Sequence, residues 1–339
     1  MTVTEIDDGQ AEARRQATLR FATGVTIAFV ACEALQWLPS FLGPLLTVAL
    51  LANLPVRPPL KMMLVVVVSM TLAALYAFVL ASFLRGTPAV LFGAIALTML
   101  LAFHAIASGR PSLPFMLLLI CVATIPVIVM IAPAQAGALP KAMVRGAVVA
   151  VLMIVAVYVP WPRPPAAASA PARPPADSPL KLALLSSAVV MPLVLVYLLF
   201  GLSDAMPVLI TTVLLVINFD VSRGRAQAMV MILGNLLGGV LGIALHTLLL
   251  VAPSLWTLAA LLFVVLLGFG QRIAAGGPMA PVAVITCNSM LIVLSLAILS
   301  GPGSLSVWLT RLFQFALAGA FAVGVMSLIA PRTSTQVCR

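Results

Sequence analysis

Two arginines stand where a charge is costly. Arg145 and Arg311 each lie one to two turns inside a long apolar run. A guanidinium at such depth costs several kcal/mol unless it reaches water or a partner. Its rigid fork of donors matches a carboxylate in two parallel hydrogen bonds. Snorkelling to the headgroups explains either arginine alone. Their recurrence at matching places, 166 residues apart, points instead to a shared substrate-binding site for an organic anion. Glu33 is the only acid inside an apolar run. It is a candidate proton carrier or ion-pair partner. The expected cycle pairs Glu33 with an arginine until an incoming carboxylate displaces it, which links substrate binding to proton uptake. His246 is the second candidate for proton coupling.

Other residues read as packing or path. Gly234, Gly238 and Gly242 recur every four residues, with His246 next in the series, so all four share one helix face. The corresponding positions earlier in the chain, Ser69, Ala73, Ala77 and Ala81, are also small. Such stripes let membrane helices approach backbone to backbone. Asn53 and Asn218 occupy equivalent positions at the ends of two short apolar runs, and Asn235 and Asn288 lie deeper. Their amides bridge helices or line a path. Cys32, Cys121, Cys287 and Cys338 show no metal-ligand spacing, and no metal or cofactor is expected. No Walker motif, GxSxG, HExxH or dinucleotide fingerprint occurs, and acids do not cluster. An enzyme, including one acting on a membrane lipid, has no residues to carry its chemistry.

The elements that must position these residues follow from composition. Of 339 residues, 63% are hydrophobic and 8% charged. That apolar surface exceeds what a soluble core hides, so the chain reads as an integral membrane protein. Despite a net charge of +10, no nucleic-acid partner is expected, because the basic residues stand singly between apolar runs. The start Met1-Thr-Val-Thr-Glu-Ile-Asp-Asp is too acidic for a cleavable signal peptide.

Twelve transmembrane segments are expected, near 20–38, 41–54, 60–84, 88–107, 112–132, 140–160, 180–201, 205–219, 226–251, 254–271, 279–300 and 304–330. The second and eighth are short and open near Pro44 and Pro207, as re-entrant helices do. Their N-terminal dipole ends would face the arginines. The Pro/Ala-rich stretch from Pro160 to Pro179 is the one clear linker.

The reading is an all-α, polytopic transmembrane bundle: a tail over 1–19, a six-helix repeat over 20–160, a linker over 161–179, a second repeat over 180–330 and a tail over 331–339. With the N-terminus cytoplasmic, 14 of the 18 Lys+Arg fall on the cytoplasmic side, and Arg85, Lys141, Arg145 and Arg311 do not. Both tails and the linker are then cytoplasmic. The halves match at a spacing of 165 or 166 residues, as in Asn53/Asn218, Cys121/Cys287 and Arg145/Arg311. This is a parallel 6+6 tandem repeat, with its pseudo-two-fold axis along the membrane normal.

The stretches Leu19-Arg-Phe-Ala-Thr-Gly24, Pro44-Leu-Leu-Thr-Val-Ala-Leu-Leu-Ala-Asn53 and Ser222-Arg-Gly-Arg-Ala-Gln with Ile232-Leu-Gly-Asn-Leu-Leu-Gly-Gly239 complete a pattern. Together with an arginine in the last helix of each unit, it resembles the fusaric acid resistance / aromatic acid exporter-like family of bacterial inner-membrane proteins. Plant channels of the aluminium-activated malate transporter type share that membrane unit. The resemblance implies efflux of aromatic or other organic carboxylates, driven by the proton motive force. It implies a periplasmic membrane-fusion adaptor as partner. Membrane lipid surrounds the bundle, and a homo-oligomer is a further possible partner. Larger exporters of that family carry a soluble cytoplasmic domain where this chain has only its Pro/Ala linker. A passive organic-anion channel, or a non-transporting subunit that docks an adaptor, is the alternative on the same fold.

Overall fold

Apolar runs cut by proline and glycine leave a chain little choice but helices in lipid, because only a helix satisfies its own backbone there. The computed structural model describes residues 3–53, 58–162, 178–200, 209–210, 212–213, 216, 224–277 and 279–300. No strand occurs among the described residues. Their long elements are α1 (Val3–Ala34), α2 (Leu42–Asn53), α3 (Leu60–Phe83), α4 (Pro88–Ala107), α5 (Ser112–Ile131), α6 (Ala138–Val157), α7 (Pro179–Phe200), α8 (Gly224–Val251), α9 (Leu255–Ala275) and α10 (Met279–Ser300). Among the described residues, nine of these are long and apolar enough to cross a membrane; α2 is the short exception. The protein is a membrane-embedded helical bundle. The segment expected at 304–330 and most of that at 205–219 lie outside the described residues.

The first helix departs from expectation. A tail was expected to precede a span over 20–38, yet one helix runs from Val3 to Ala34, and its membrane-competent part is Gln10–Ala34. Residues 11–17 are Ala, Glu, Arg and Gln, strong helix formers with no breaker, so the helix propagates through the polar stretch. It stops early because Gln36 has φ 52° and Pro39 disfavours helical backbone at Leu38.

Packing is close and specific. α1 packs on α9, α2 and α6; α4 packs on α7 and α5; α3 packs on α5 and α6. α8 lies along α10, and α9 also touches α10. Gly234 meets Ile285 while Gly242 meets Val293, so α8 and α10 run parallel. The short α2 is held by α1, α6 and α10. Inner faces carry Phe29, Met70, Leu91, Ile95 and Met143, all fully buried. Outer faces carry Leu64, Leu72, Leu97 and Leu152, all exposed. In lipid the outer faces need no cover, and association rests on van der Waals fit of the inner ones.

Candidate functional site

A polar corner forms where α1 ends. Gln36 donates to the Glu33 carbonyl from both its backbone N–H and its Nε2, each at 3.0 Å, and Trp37 N–H donates to the Cys32 carbonyl at 2.9 Å. These bonds turn the chain back toward α2. The turn brings Ser40 to Glu33, and the Ser40 hydroxyl donates to the Glu33 carboxylate. Ser40 Oγ also lies 2.7 Å from Ser295 Oγ on α10. A serine has one hydroxyl proton, so with Ser40 donating to Glu33, Ser295 donates to Ser40. Glu33, Ser40 and Ser295 are all buried. The result is a file from Ser295 through Ser40 to Glu33, with its serine end the more deeply buried.

Arg145 reaches the same corner from α6. Its neighbour Gly146 lies against the start of α2, where an added Cβ would sit 3.2 Å from the Leu42 carbonyl carbon and 3.3 Å from Gly43 N. The Arg145 guanidinium lies over the Trp37 ring, 5.3 Å from its centre. Its Nη2 donates to the Leu38 carbonyl at 3.4 Å, and its Nε is buried without a hydrogen-bond partner. Glu33 follows Cys32, which lines one cavity with Arg145, so Glu33 and Arg145 share this corner. They do not pair with each other. The ion pair found among the described residues is Arg15–Glu12, at 3.8 Å. For Arg145 this departs from the expected Glu33–arginine pair: the serine hydroxyl seven positions along bonds the carboxylate, and the 35–41 turn takes the guanidinium; Arg311, the other arginine expected there, lies outside the described residues.

Arg145 and the N-terminus of α2 do face one space, as the short proline-led helix implied. Cys32, Trp37, Gly43, Arg145 and Gly146 line a cavity of about 10 Å³. That holds one water at most. A carboxylate ligand therefore requires the 35–41 turn to shift. Of the five guanidinium N–H donors, one is engaged among the described residues.

The other singled-out residues lie elsewhere. Gly234, Gly238 and Gly242 form a seam against α10, and a Cβ on Gly238 would stand 2.3 Å from the Thr286 carbonyl oxygen. Ser289 Oγ donates across this seam to the Asn235 carbonyl at 3.0 Å. His246 is buried one turn beyond Gly242. The Oδ1 atoms of Asn235 and Asn288 are buried without a hydrogen-bond partner. In α3, Ala73, Ala77 and Ala81 are buried and Ser69 partly so. Asn53 closes α2. Arg311, Asn218 and Pro207 lie outside the described residues.

Sequence reading missed three partners and misjudged a fourth residue. Ser40, Ser295 and Trp37 carried no signal, since a serine in a turn, a serine within an apolar helix and a tryptophan near a span end are ordinary. Arg20 read as a topology mark, yet it is buried. It donates to the Trp161 carbonyl at 2.9 Å and stacks 4.8 Å over the Tyr158 ring, which ties α1 to the end of α6. The aromatics Tyr158 and Trp161 at the start of the linker were the available hint.

A family model described as "Protein of unknown function (DUF2955)" matches residues 17–157, from within α1 to the last residue of α6. No curated protein and no solved structure matches the chain.

Proposed function

We propose that the protein exports small organic carboxylates, aromatic ones above all, across the inner membrane in exchange for protons. The observation that carries this reading is the juxtaposition in one corner of Arg145, the start of α2 and the Glu33–Ser40–Ser295 file. A carboxylate entering there displaces the Leu38 carbonyl from the guanidinium and takes the bidentate fork. A proton on Glu33 reverses the file: the carboxylic acid donates to Ser40, and Ser40 donates to Ser295. Movement of the 35–41 turn thus touches both the anion's arginine and the proton's carboxyl. The aromatic preference rests on the resemblance to the fusaric acid resistance and aromatic acid exporter pattern, as does a periplasmic adaptor.

The tandem 6+6 architecture belongs to this proposal. Two features support it. The packing of α1 on α9 is mirrored by that of α7 on α4, and the α3–α5 pair is mirrored by α8–α10. Under the repeat these are equivalent pairs. The parallel course of α8 and α10 also suits two segments that both rise from the cytoplasm. Reporter fusions at Arg57, at Arg110, within the 163–178 linker and at the C-terminus should all report cytoplasm. A periplasmic linker would refute the arrangement.

A passive organic-anion channel is the second reading. It gains from the unformed Glu33–Arg145 ion pair, which removes direct competition between substrate and Glu33. Purified protein in liposomes, offered a panel of aromatic and aliphatic carboxylates, tests both. Exchange that depends on Arg145 and accelerates under an imposed pH gradient supports the exporter. Full activity in the Arg145→Ala/Arg311→Ala double variant refutes the arginine site.

A further inference from the structure

We infer that the groove between α4 and α5 is a binding site for an anionic phospholipid. A cavity of about 480 Å³ opens there, lined by Tyr76, Leu101, His104, Ser108, Arg110 and Phe115, among others. Its two ends differ in chemistry. At one end stand His104, Ser108 and Arg110, in the last turn of α4 and the turn that follows. The other wall is Leu101, Phe115 and Leu118. Ser108 Oγ already donates to the His104 carbonyl at 2.8 Å, while His104 Nδ1 is buried and has no hydrogen-bond partner. At the far end the Tyr76 and Thr98 hydroxyls satisfy each other at 2.8 Å, and Thr98 donates back to the Ala94 carbonyl, so that end asks for no polar ligand group. From Thr98 to Ser108 along α4 is about 15 Å at 1.5 Å per residue, room for a headgroup and the upper part of an acyl chain.

Charge decides the headgroup. Arg110 is exposed, and the chain contains no Asp or Glu between Glu33 and Asp177. Among the described residues Arg110 makes no ion pair. Arg110 also stands just before the start of α5, which no side chain caps. The free N–H groups there add positive potential. The groove opens onto the lipid-facing belt, where Leu72, Leu75, Leu97 and Leu101 are exposed. An occupant with a phosphate at one end and an apolar tail at the other meets all of these features. A phospholipid reaches the groove sideways from the bilayer.

Native mass spectrometry of the full-length protein in detergent tests this, with phosphatidylglycerol and phosphatidylcholine as competing probes. Wild type should retain phosphatidylglycerol preferentially. Arg110→Gln should retain it about fivefold less, the loss expected for one basic residue at a membrane surface. Leu101→Trp, which fills the apolar wall, should lower retention without touching the charge. Arg85→Gln, a basic residue outside the groove, should bind as wild type does. Equal retention by wild type and Arg110→Gln would overturn the assignment, as would equal retention of the two lipids. Inorganic phosphate displacing the lipid completely would also overturn it, by reducing the groove to a simple anion site.

Discussion

Helix α10 makes two contacts of opposite character. Along Thr286, Ser289, Met290 and Val293 it meets α8 backbone to backbone, with glycines giving way to it. At Ser295 it meets the 35–41 turn through one hydroxyl, in a corner of unspent donors and a cavity of about 10 Å³. The first contact leaves no room for an atom more. The second is held by a few polar bonds and a stacked ring. A seam of the first kind fixes geometry, and a corner of the second kind can change it. The corner is thus polar structure mounted on a close-packed apolar rail.

The largest effect should come from the rail. Gly238→Val places branched carbon where a Cβ alone would stand 2.3 Å from the Thr286 carbonyl oxygen and 2.7 Å from the Ser289 Cβ. Backbone cannot step aside as a side chain end can, so the cost should exceed the ~1–3 kcal/mol usual for overpacking. Loss of monodisperse protein in detergent, or a large drop in Tm, is expected. A variant with unchanged Tm would mean that α8 and α10 have slack, and the contrast between the two contacts would fail.

Arg145→Ala should show the reverse profile. Stability should fall by only about 0.5–2 kcal/mol, through loss of the stacking on Trp37. Carboxylate exchange in liposomes should fall at least about tenfold, the worth of one charge-assisted hydrogen bond. Arg145→Lys should restore exchange only in part, since an ammonium cannot offer the fork. A large stability loss with normal transport in the surviving protein would make Arg145 a packing residue.

The rail was legible in the sequence and the corner only half so. Gly234, Gly238 and Gly242 announce themselves because helix packing is periodic, and period survives in one dimension. The shortness of α2 showed in a brief apolar run opening at Pro44. Arg145 and Glu33 stood out because charge is rare in such a chain. What charge finds as a partner is a different matter. Ser40 and Ser295 meet across 255 residues of sequence. Arg20 reaches a carbonyl 141 residues away. Nothing local fixes either meeting, and pairing Glu33 with Arg145 overlooked the nearer hydroxyl.

Ser40→Ala sharpens the corner by a smaller amount. It leaves the Glu33 carboxylate buried without its donor and takes from Ser295 its acceptor. A loss of about 1–3 kcal/mol is expected. Ser295→Ala should cost less, because Ser40 keeps its bond to Glu33. The two should be non-additive by at least about 0.5 kcal/mol if they belong to one file. Strict additivity in a double-mutant cycle of unfolding free energies would dissolve the file into two separate bonds.

The smallest structural effect and the most specific functional one should come from Glu33→Gln. The amide oxygen still accepts from Ser40, and the side chain keeps its size, so stability should change by less than about 1 kcal/mol. What is lost is the ability to take and release a proton. The amide can accept through its oxygen or donate through its NH2, so the file keeps its hydrogen bonds, but no proton enters or leaves at position 33. If the 35–41 turn couples proton and anion, carboxylate exchange without a gradient should persist, since Arg145 is intact. Acceleration by an imposed pH gradient should vanish. His246→Ala, altered on the rail and not in the corner, should keep that acceleration. If Glu33→Gln still responds fully while His246→Ala does not, the proton travels along the α8–α10 seam, and the corner serves the anion alone. If both respond fully, neither residue carries the proton, and the passive channel becomes the better account of the same arginine.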